Sequence, residues 1–169
     1  MSSVSSQRIV LIALGSNLGD SVALIDAACE KLQLLSTEPL RKSSLWTTTP
    51  VDCAPDSPLF TNAAVAFTST RDETPDSLLA KLQALEKELG RLPKIVLNEP
   101  RPIDLDLIAF GDEVRSTPAL TLPHPRARLR RFVLQPLSEI APEFVLPGQR
   151  RTVRELLDEL PPDGAVVRL

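Results

Sequence analysis

Residues 8–35, "RIVLIALGSNLGDSVALIDAACEKLQLL", contain a strand, a turn and a helix in direct succession. Residues 8–14 are rich in apolar and β-branched side chains, which predicts a buried strand. The turn "GSNLGD" follows, and Asp20 or Ser21 can cap the next helix. The apolar side chains Ile25, Ala28, Leu32 and Leu35 then recur with helical spacing, which predicts an amphipathic helix ending near residue 35.

The rest of the chain continues this alternation of strands and capped helices. We expect an irregular strand over 38–48, a strand over 60–70 and a strand over 103–110. Between the last two, Thr74 caps a helix with Pro75 at its first position, and Gly90 closes it. The leucines of its apolar stripe are Leu78, Leu82, Leu85 and Leu89.

The order of these elements predicts an α+β fold. Strand, helix, strand, strand, helix, strand is the βαββαβ core of a ferredoxin-like antiparallel sheet, with its helices packed on one face. The other face then has to be covered by loops, by the tail or by ligands. Helices near 127–139 and 152–159 form a C-terminal extension.

Length and composition limit the classes of protein. The chain has 169 residues, which predicts a single domain over 1–169 with a substantial core. A net charge of −3 argues against general nucleic-acid or anionic-membrane binding. The apolar run of residues 9–14 is too short to span a bilayer. Only two cysteines, Cys29 and Cys53, are present, which favours a reducing, cytoplasmic location.

Residues 101–110, "RPIDLDLIAF", place two aspartates two positions apart in an apolar strand. Strand alternation predicts that Asp104 and Asp106 share a face with Ile108 and Phe110. Residues 103, 105, 107 and 109 would share the other face. The pair could lie on a solvated face, but buried anions cost several kcal/mol unless they are paired. Mg²⁺ would resolve this cost, since carboxylates about 6.6 Å apart along a strand can hold two ions about 3.5–4 Å apart.

Arginines crowd the segment that follows this strand. Arg126, Arg128, Arg130 and Arg131 come just after His124, the only histidine, and Arg101 precedes the aspartates. Such a cluster can be a solvated face or a nucleic-acid patch, and it can also bind phosphate. His124 can be structural or can donate to a phosphate. Since the chain has neither a P-loop motif nor G-x-G-x-x-G, arginines and a metal would hold any nucleotide.

Two further features have both a plain and a functional interpretation. Gln83 and Glu86 are neighbours on a helix flank, where they can face solvent or line a cleft beside the aspartate strand. Asn62 lies inside a predicted strand, where asparagine is disfavoured unless its amide is used. That amide suits the polar edge of a heterocycle, and Phe60, two residues earlier, could stack on a flat ring.

Five blocks of the sequence together resemble the 6-hydroxymethyl-7,8-dihydropterin pyrophosphokinases. They are "ALGSNLGD", "FTNAAVAF", "RPIDLDLIAFGD", "LPHPR" and "RRFVLQPLSEIAPE", and they follow in order over nearly the whole chain. The resemblance implies transfer of pyrophosphate from ATP to the pterin hydroxymethyl oxygen, with release of AMP, in folate biosynthesis. It also implies a cytoplasmic monomer that binds small substrates, without nucleic acid or membrane partners.

The resemblance implies a role for each matching residue. Asp104 and Asp106 are expected to bind two Mg²⁺ ions, and Arg91, Arg101 and Arg130 are the expected catalytic arginines. The expected ATP contacts are Gln83, Glu86, Arg101, Leu107, Thr121, His124 and Arg130. The expected pterin contacts are Gly15, Thr48, Thr49, Val51, Phe60, Asn62 and Phe132.

Residues 91–100 depart from the family pattern, in which this loop closes over ATP. Leu97, Asn98 and Glu99 stand where the family usually has a basic, a variable and a small residue, and a tryptophan is often found at the place of Asn98. Two alternatives stay open. One is a ferredoxin-like RNA-binding module using Arg126–Arg131, although aromatic residues make up only 4% of the chain. The other is a metal-dependent nuclease.

Overall fold

The computed structural model describes residues 8–49, 58–93, 100–162 and 165–169. The first half contains β1 Ile9–Ser16, α1 Ser21–Gln33, β2 Arg41–Lys42, β3 Trp46–Thr48, β4 Phe60–Thr68 and α2 Pro75–Glu88. The second half contains β5 Asp104–Phe110, β6 Arg115–Ser116, β7 Thr121–Leu122, α3 Arg131–Ile140, α4 Val153–Glu159 and β8 Val166–Arg168. None of the helices in these ranges has the length and apolarity that crossing a membrane requires.

The main sheet confirms the predicted ferredoxin-like α+β fold. Its strands are ordered β5-β1-β4-β3-β8, β2 also pairs with β4, and all of these pairs are antiparallel. The register places Gly15 of the central strand β1 opposite Asn62 on one side and Asp104 on the other. Asn62 and Asp104, which the sequence singled out, therefore lie on opposite sides of one glycine.

Helices cover both faces of the sheet. On one face, α1 and α2 bury their predicted stripes against β1, β4 and β5 in a first core. On the other face, α3 and α4 of the C-terminal extension bury a second core. The extension therefore covers the face of the sheet that α1 and α2 leave open.

A β-bulge in β5 changes the predicted alternation. Leu11 pairs with Ala109 and Ile12 pairs with Leu107, so Ile108 is an extra residue without a partner opposite. Phe110 consequently lies in the first core, while Ala109 lies in the second. The prediction that Phe110 shares the aspartate face is therefore wrong. Asp104 and Asp106 precede the bulge, so they keep a common face.

Other boundaries also differ from the predicted ones. The strand over 38–48 divides into β2 and β3, because Ser43 between them bonds Ala64 through both its amide and its hydroxyl. The helix near 127–139 is a short 3-10 turn over Ala127–Leu129 followed by α3, with Arg130 extended between them. Strands β6, β7 and β8 had no recognisable signal, since each has only two or three residues.

Candidate active site

A cleft of about 310 Å³ opens where the ends of β1 and β3 meet the starts of β4, β5 and α3. This volume is at the lower end of the range for small-molecule sites. Its lining includes most of the site residues that the sequence predicted. These are Gly15, Thr48, Thr49, Phe60, Asn62, Arg101, Asp104, Asp106, His124, Arg130 and Phe132.

The two aspartates form the acidic part of the cleft. Asp104 Oδ1 accepts a hydrogen bond from Arg91 Nη1 at 2.8 Å, and Asp104 Oδ2 lies 3.8 Å from Arg101 Nη1. No described residue forms a hydrogen bond or an ion pair with the Asp106 carboxylate. Burial is the largest cause that raises the pKa of Asp106 to about 7; the negative charges of Asp104 and Glu86 add to it, and the arginines Arg130 and Arg101 oppose it. With no cation bound beside it, the Asp106 carboxyl therefore keeps its proton more readily than an exposed carboxyl does.

This donor set fits Mg²⁺ bound together with phosphates. Within the described ranges, no group of three or more His, Cys, Asp or Glu side chains could enclose a metal by itself. Mg²⁺ usually takes only one or two protein carboxylates and completes its shell with water and substrate phosphates. A cation beside Asp106 would also relieve the repulsion that raises its pKa.

Glu86 and Arg91 lie beside the aspartates rather than in the lining of the cleft. Glu86 Oε2 accepts from the Leu105 amide at 2.8 Å and from Arg91 Nη1 at 2.7 Å. Arg91 thereby bridges Glu86 on α2 and Asp104 on β5. Burial raises the pKa of Glu86, although the Leu105 amide and Arg91 oppose this.

Three other residues that were expected to contact ATP do not line the cleft. The Leu107 side chain is buried in the first core, so only its main-chain atoms could contact a ligand. Gln83 is exposed on α2, and Thr121 is exposed on β7. Val51 lies outside the described residues.

Two arginines in the cleft lie over aromatic rings. The Arg101 guanidinium is 5.4 Å from the Phe60 ring centroid, and that of Arg130 is 5.5 Å from the Phe132 ring centroid. Both distances suit cation–π attraction. Arg101 Nε is also buried, without a hydrogen-bond partner among the described residues. Each arginine is therefore held by a ring and keeps donors for an anionic ligand.

His124 is held as a neutral hydrogen-bond donor. Its amide donates to the Ile108 carbonyl at 2.8 Å, and its Nδ1 accepts from the Arg126 amide at 3.2 Å. Burial lowers its pKa, and the charges of Arg130 and Arg126 lower it further. A neutral ring with Nδ1 as the acceptor carries its proton on Nε2, which can donate to a phosphate oxygen.

The opposite end of the cleft presents a fixed amide. Thr48 Oγ1 donates to Asn62 Oδ1 at 2.6 Å, and both residues are buried. This bond occupies the Asn62 oxygen and sets the direction of its amide group. A Cβ atom added at Gly15 would lie 3.1 Å from Asn62 Nδ2 and 3.5 Å from Phe60 Cδ1. Glycine is therefore the residue that leaves space beside this amide.

Several residues near the site were missed by the sequence analysis. Asn17 bonds the main chain of Arg101. Arg126 was predicted only as a member of the arginine cluster, and it lines the cleft. Glu139 accepts from Trp46 Nε1 at 2.7 Å and from Ser44 Oγ at 2.8 Å, which braces β3 against α3. An asparagine in a glycine-containing turn and a glutamate on a helix are common surface residues. Their sequence positions therefore gave no signal of these contacts.

Comparisons with known proteins give one consistent result. The family model for 7,8-dihydro-6-hydroxymethylpterin-pyrophosphokinase (HPPK) matches residues 11–142. A 2-amino-4-hydroxy-6-hydroxymethyldihydropteridine pyrophosphokinase from Pseudomonas aeruginosa is 37% identical over 156 residues, covering 92% of this chain and 93% of that protein. The folic acid synthesis protein fol1 of Pneumocystis carinii is 39% identical over 138 residues, covering 82% of this chain.

A solved structure of Plasmodium falciparum HPPK-DHPS has the same fold. It superposes with a TM-score of 0.68 at 15% identity, covering 90% of this chain and 43% of that one. The chain corresponds to only part of several longer relatives. It spans 18% of the Pneumocystis carinii protein and 21% of the Schizosaccharomyces pombe protein of the same name.

Proposed function

Since the chain belongs to the 7,8-dihydro-6-hydroxymethylpterin-pyrophosphokinase family, we propose that it transfers pyrophosphate from ATP to 6-hydroxymethyl-7,8-dihydropterin, a step in folate biosynthesis. One observation carries the proposal beyond family membership. A single cleft contains an acidic pair flanked by arginines and, across Gly15, a buried amide beside an aromatic ring. The acidic pair with its arginines suits a metal–triphosphate, and the amide with its aromatic ring suits a flat polar heterocycle.

Asn62 and the aromatic rings would bind the pterin. The Asn62 amide, oriented by Thr48, would pair with the polar edge of the ring system. Phe60 and Phe132 would contact its faces, and Thr49 would contribute at the rim of the cleft. These contacts would direct the hydroxymethyl group across β1 toward the aspartates of β5.

Arg101, Arg130 and His124 would bind the triphosphate. Asp104 and Asp106 would hold two Mg²⁺ ions, which supply charge neutralisation on the phosphates and acidify the substrate hydroxyl. The pterin hydroxyl oxygen attacks the β-phosphorus of ATP, the bond from that phosphorus to the α-phosphate oxygen breaks, AMP leaves, and the hydroxyl proton is released to water. The arginines stabilise charge on the transferring and leaving groups, so their contribution is positioning and electrostatics.

Several of the expected residue roles stay predictions. Arg91 would have to release Asp104 before a cation takes its place, and its catalytic role stays a prediction. Contacts of ATP with Gln83, Glu86, Leu107 and Thr121 also stay predictions. Residues 97–99 lie outside the described ranges, so closure of their loop over ATP stays a prediction. Val51 also lies outside these ranges, and its contact with the pterin stays a prediction as well.

The expected partners are small molecules. The monomeric state stays a prediction. The RNA-binding alternative has no support, because helices cover both faces of the sheet. The arginine cluster is also divided, since Arg130 lines the cleft whereas Arg131 bonds the carbonyls of Leu160 and Pro161. The cytoplasmic location stays a prediction.

Analysis of the nucleotide product tests this function. With Mg²⁺ and 6-hydroxymethyl-7,8-dihydropterin present, the protein is expected to convert ATP to AMP. Without the pterin or without Mg²⁺, ATP should stay intact. Chromatographic separation of AMP, ADP and ATP measures the outcome. Formation of ADP, or AMP release that is independent of the pterin, would refute the proposal.

Gly15→Ala is expected to weaken pterin binding selectively. The added Cβ would press on Asn62 Nδ2 and on the Phe60 ring, both on the pterin side of the cleft. We expect the KM for the pterin to rise by about 10- to 100-fold, since a displaced amide leaves polar groups unpaired. The KM for ATP should change by less than about 2-fold, and steady-state kinetics with each substrate varied in turn would show this. An equal rise in both values would contradict the assignment of Asn62.

A further inference from the structure

We infer that Asn17 is a positioning residue that ties the phosphate-binding Arg101 to the pterin side of the cleft, an inference that rests on the proposed function. Asn17 lies in the turn between β1 and α1 and is only 4% exposed. It is not among the residues that line the cleft. Its effect on the reaction would therefore pass through the residues it holds.

The turn that carries Asn17 is anchored on both sides. Ser16, the last residue of β1, donates through Oγ to Ser21 Oγ at 2.8 Å. Asp20 caps α1 by accepting from the Ala23 amide at 3.2 Å. Asn17 is therefore attached to a rigid strand–helix junction, which makes it a suitable fixed point for other segments.

Asn17 holds both polar main-chain groups of Arg101. The Arg101 amide donates to Asn17 Oδ1 at 2.9 Å, and the Asn17 amide donates to the Arg101 carbonyl at 3.1 Å. Arg101 lies outside any helix or strand, three residues before β5 begins. Asn17 therefore fixes the backbone from which the Arg101 guanidinium extends.

A third bond connects the same side chain to the pterin side. Asn17 Nδ2 donates to the Pro58 carbonyl at 3.3 Å, two residues before Phe60 begins β4. The Arg101 guanidinium lies 5.4 Å from the centroid of the Phe60 ring. Asn17, Arg101, Phe60 and Pro58 thus form a closed circuit of contacts. A shift of Arg101 relative to the Phe60 ring would have to break one of them.

Asn17→Ala tests this inference against a purely structural role. We expect kcat to fall by about 10- to 100-fold, because an ångström-scale displacement of a catalytic group costs about that much. Gln33→Ala is the matched control. The Gln33 side-chain amide also holds a backbone segment, accepting from the Leu40 amide at 2.9 Å and donating to the Glu38 carbonyl at 3.1 Å, outside the cleft. We expect both variants to lose about 2–8 °C in Tm, and only Asn17→Ala to lose kcat.

Asn17→Asp separates the two connections. Aspartate keeps the oxygen that accepts from the Arg101 amide and loses the Nδ2 donor to Pro58. We expect this variant to recover at least about 5-fold in kcat relative to Asn17→Ala, while the KM for the pterin stays about 3-fold or more above that of the wild type. If Asn17→Ala does not fold, the kinetics of Asn17→Asp alone test the inference. An unchanged KM for the pterin in that variant would overturn the link to Pro58.

Amide hydrogen exchange at Arg101 gives a readout that does not require turnover. The Arg101 amide should be protected in the wild type and in Asn17→Asp, and should exchange faster in Asn17→Ala. A wild type that releases no AMP would refute the proposed function, and the exchange data would still test the inference. The inference is overturned if Asn17→Ala keeps the protection of Arg101, or if its kcat equals that of Gln33→Ala.

Discussion

Asp106→Asn is expected to abolish turnover and, at the same time, to make the protein more stable in the absence of metal and substrate. The aspartate lines the cleft without a hydrogen-bond or ion-pair partner among the described residues, next to Asp104. An amide cannot replace a carboxylate as a ligand of a hard cation with comparable strength. We expect kcat to fall by at least about 1,000-fold, corresponding to about 4 kcal/mol of lost transition-state stabilisation.

The gain in stability follows from the raised pKa of Asp106. Burial and the neighbouring carboxylates raise this pKa from 3.8 to about 7. A group with a raised pKa in the folded state contributes stability fully below its unfolded pKa, and this stability is lost as the pH rises through the folded pKa. The full shift would correspond to about 4 kcal/mol. Because the Asp106 side chain is partly exposed to an open cleft, we expect water to reduce the gain from Asp106→Asn to about 2 kcal/mol at pH 8.

Urea unfolding at several pH values would measure this gain. The free energy of unfolding of Asp106→Asn minus that of the wild type should approach zero near pH 4 and should be largest near pH 8. Asp112→Asn, in the exposed turn after β5, is the matched control and should alter neither stability nor turnover appreciably. A variant that is less stable than the wild type at pH 8, or one that keeps substantial activity, would contradict the acidic site.

Arg101→Ala is expected to have the second largest effect. Arg101 lies between Asp104 and the Phe60 ring, and its buried Nε is without a partner among the described residues. Preorganised cationic donors of this kind stabilise the charge that develops on transferring phosphates. We expect kcat/KM to fall by about 100- to 1,000-fold. Arg101→Lys should recover only part of this loss, because an ammonium group lacks the planar fork of donors.

Arg128→Ala is the matched control for Arg101→Ala. Arg128 belongs to the same arginine-rich segment as Arg130, but it is exposed and does not line the cleft. Its removal should leave kcat/KM within about 2-fold of the wild type, as for most exposed substitutions. Equal losses in Arg101→Ala and Arg128→Ala would indicate a general effect of positive charge on association instead of a specific contact with phosphate.

Local patterns in the sequence predicted the features that depend on neighbouring residues. Strand alternation placed Asp104 and Asp106 on one face. Thr74 caps α2 and Pro75 is its first residue, as expected. Element order predicted the ferredoxin-like sheet, and the family resemblance named most of the residues that line the cleft. In each case the information lay in neighbouring residues, in the order of the elements or in a known motif.

Contacts between distant segments could not be predicted in this way. The bulge at Ile108 leaves no mark in the apolar run "LDLIAF", yet it moves Phe110 to the other face. The bonds from Asn17 to Arg101 and to Pro58 join positions far apart in the chain, and the turn sequence does not indicate them. Strand β8 has only three residues and exists because it pairs with β3.

The central claim is that the cleft transfers the β- and γ-phosphates of ATP together to a pterin. Its most direct test uses ATP carrying a radiolabel at the β-phosphate, incubated with the protein, Mg²⁺ and 6-hydroxymethyl-7,8-dihydropterin. We predict that the label moves to the pterin in step with AMP formation. Retention of the β-label in ADP, with only the γ-phosphate transferred or released, would contradict this account.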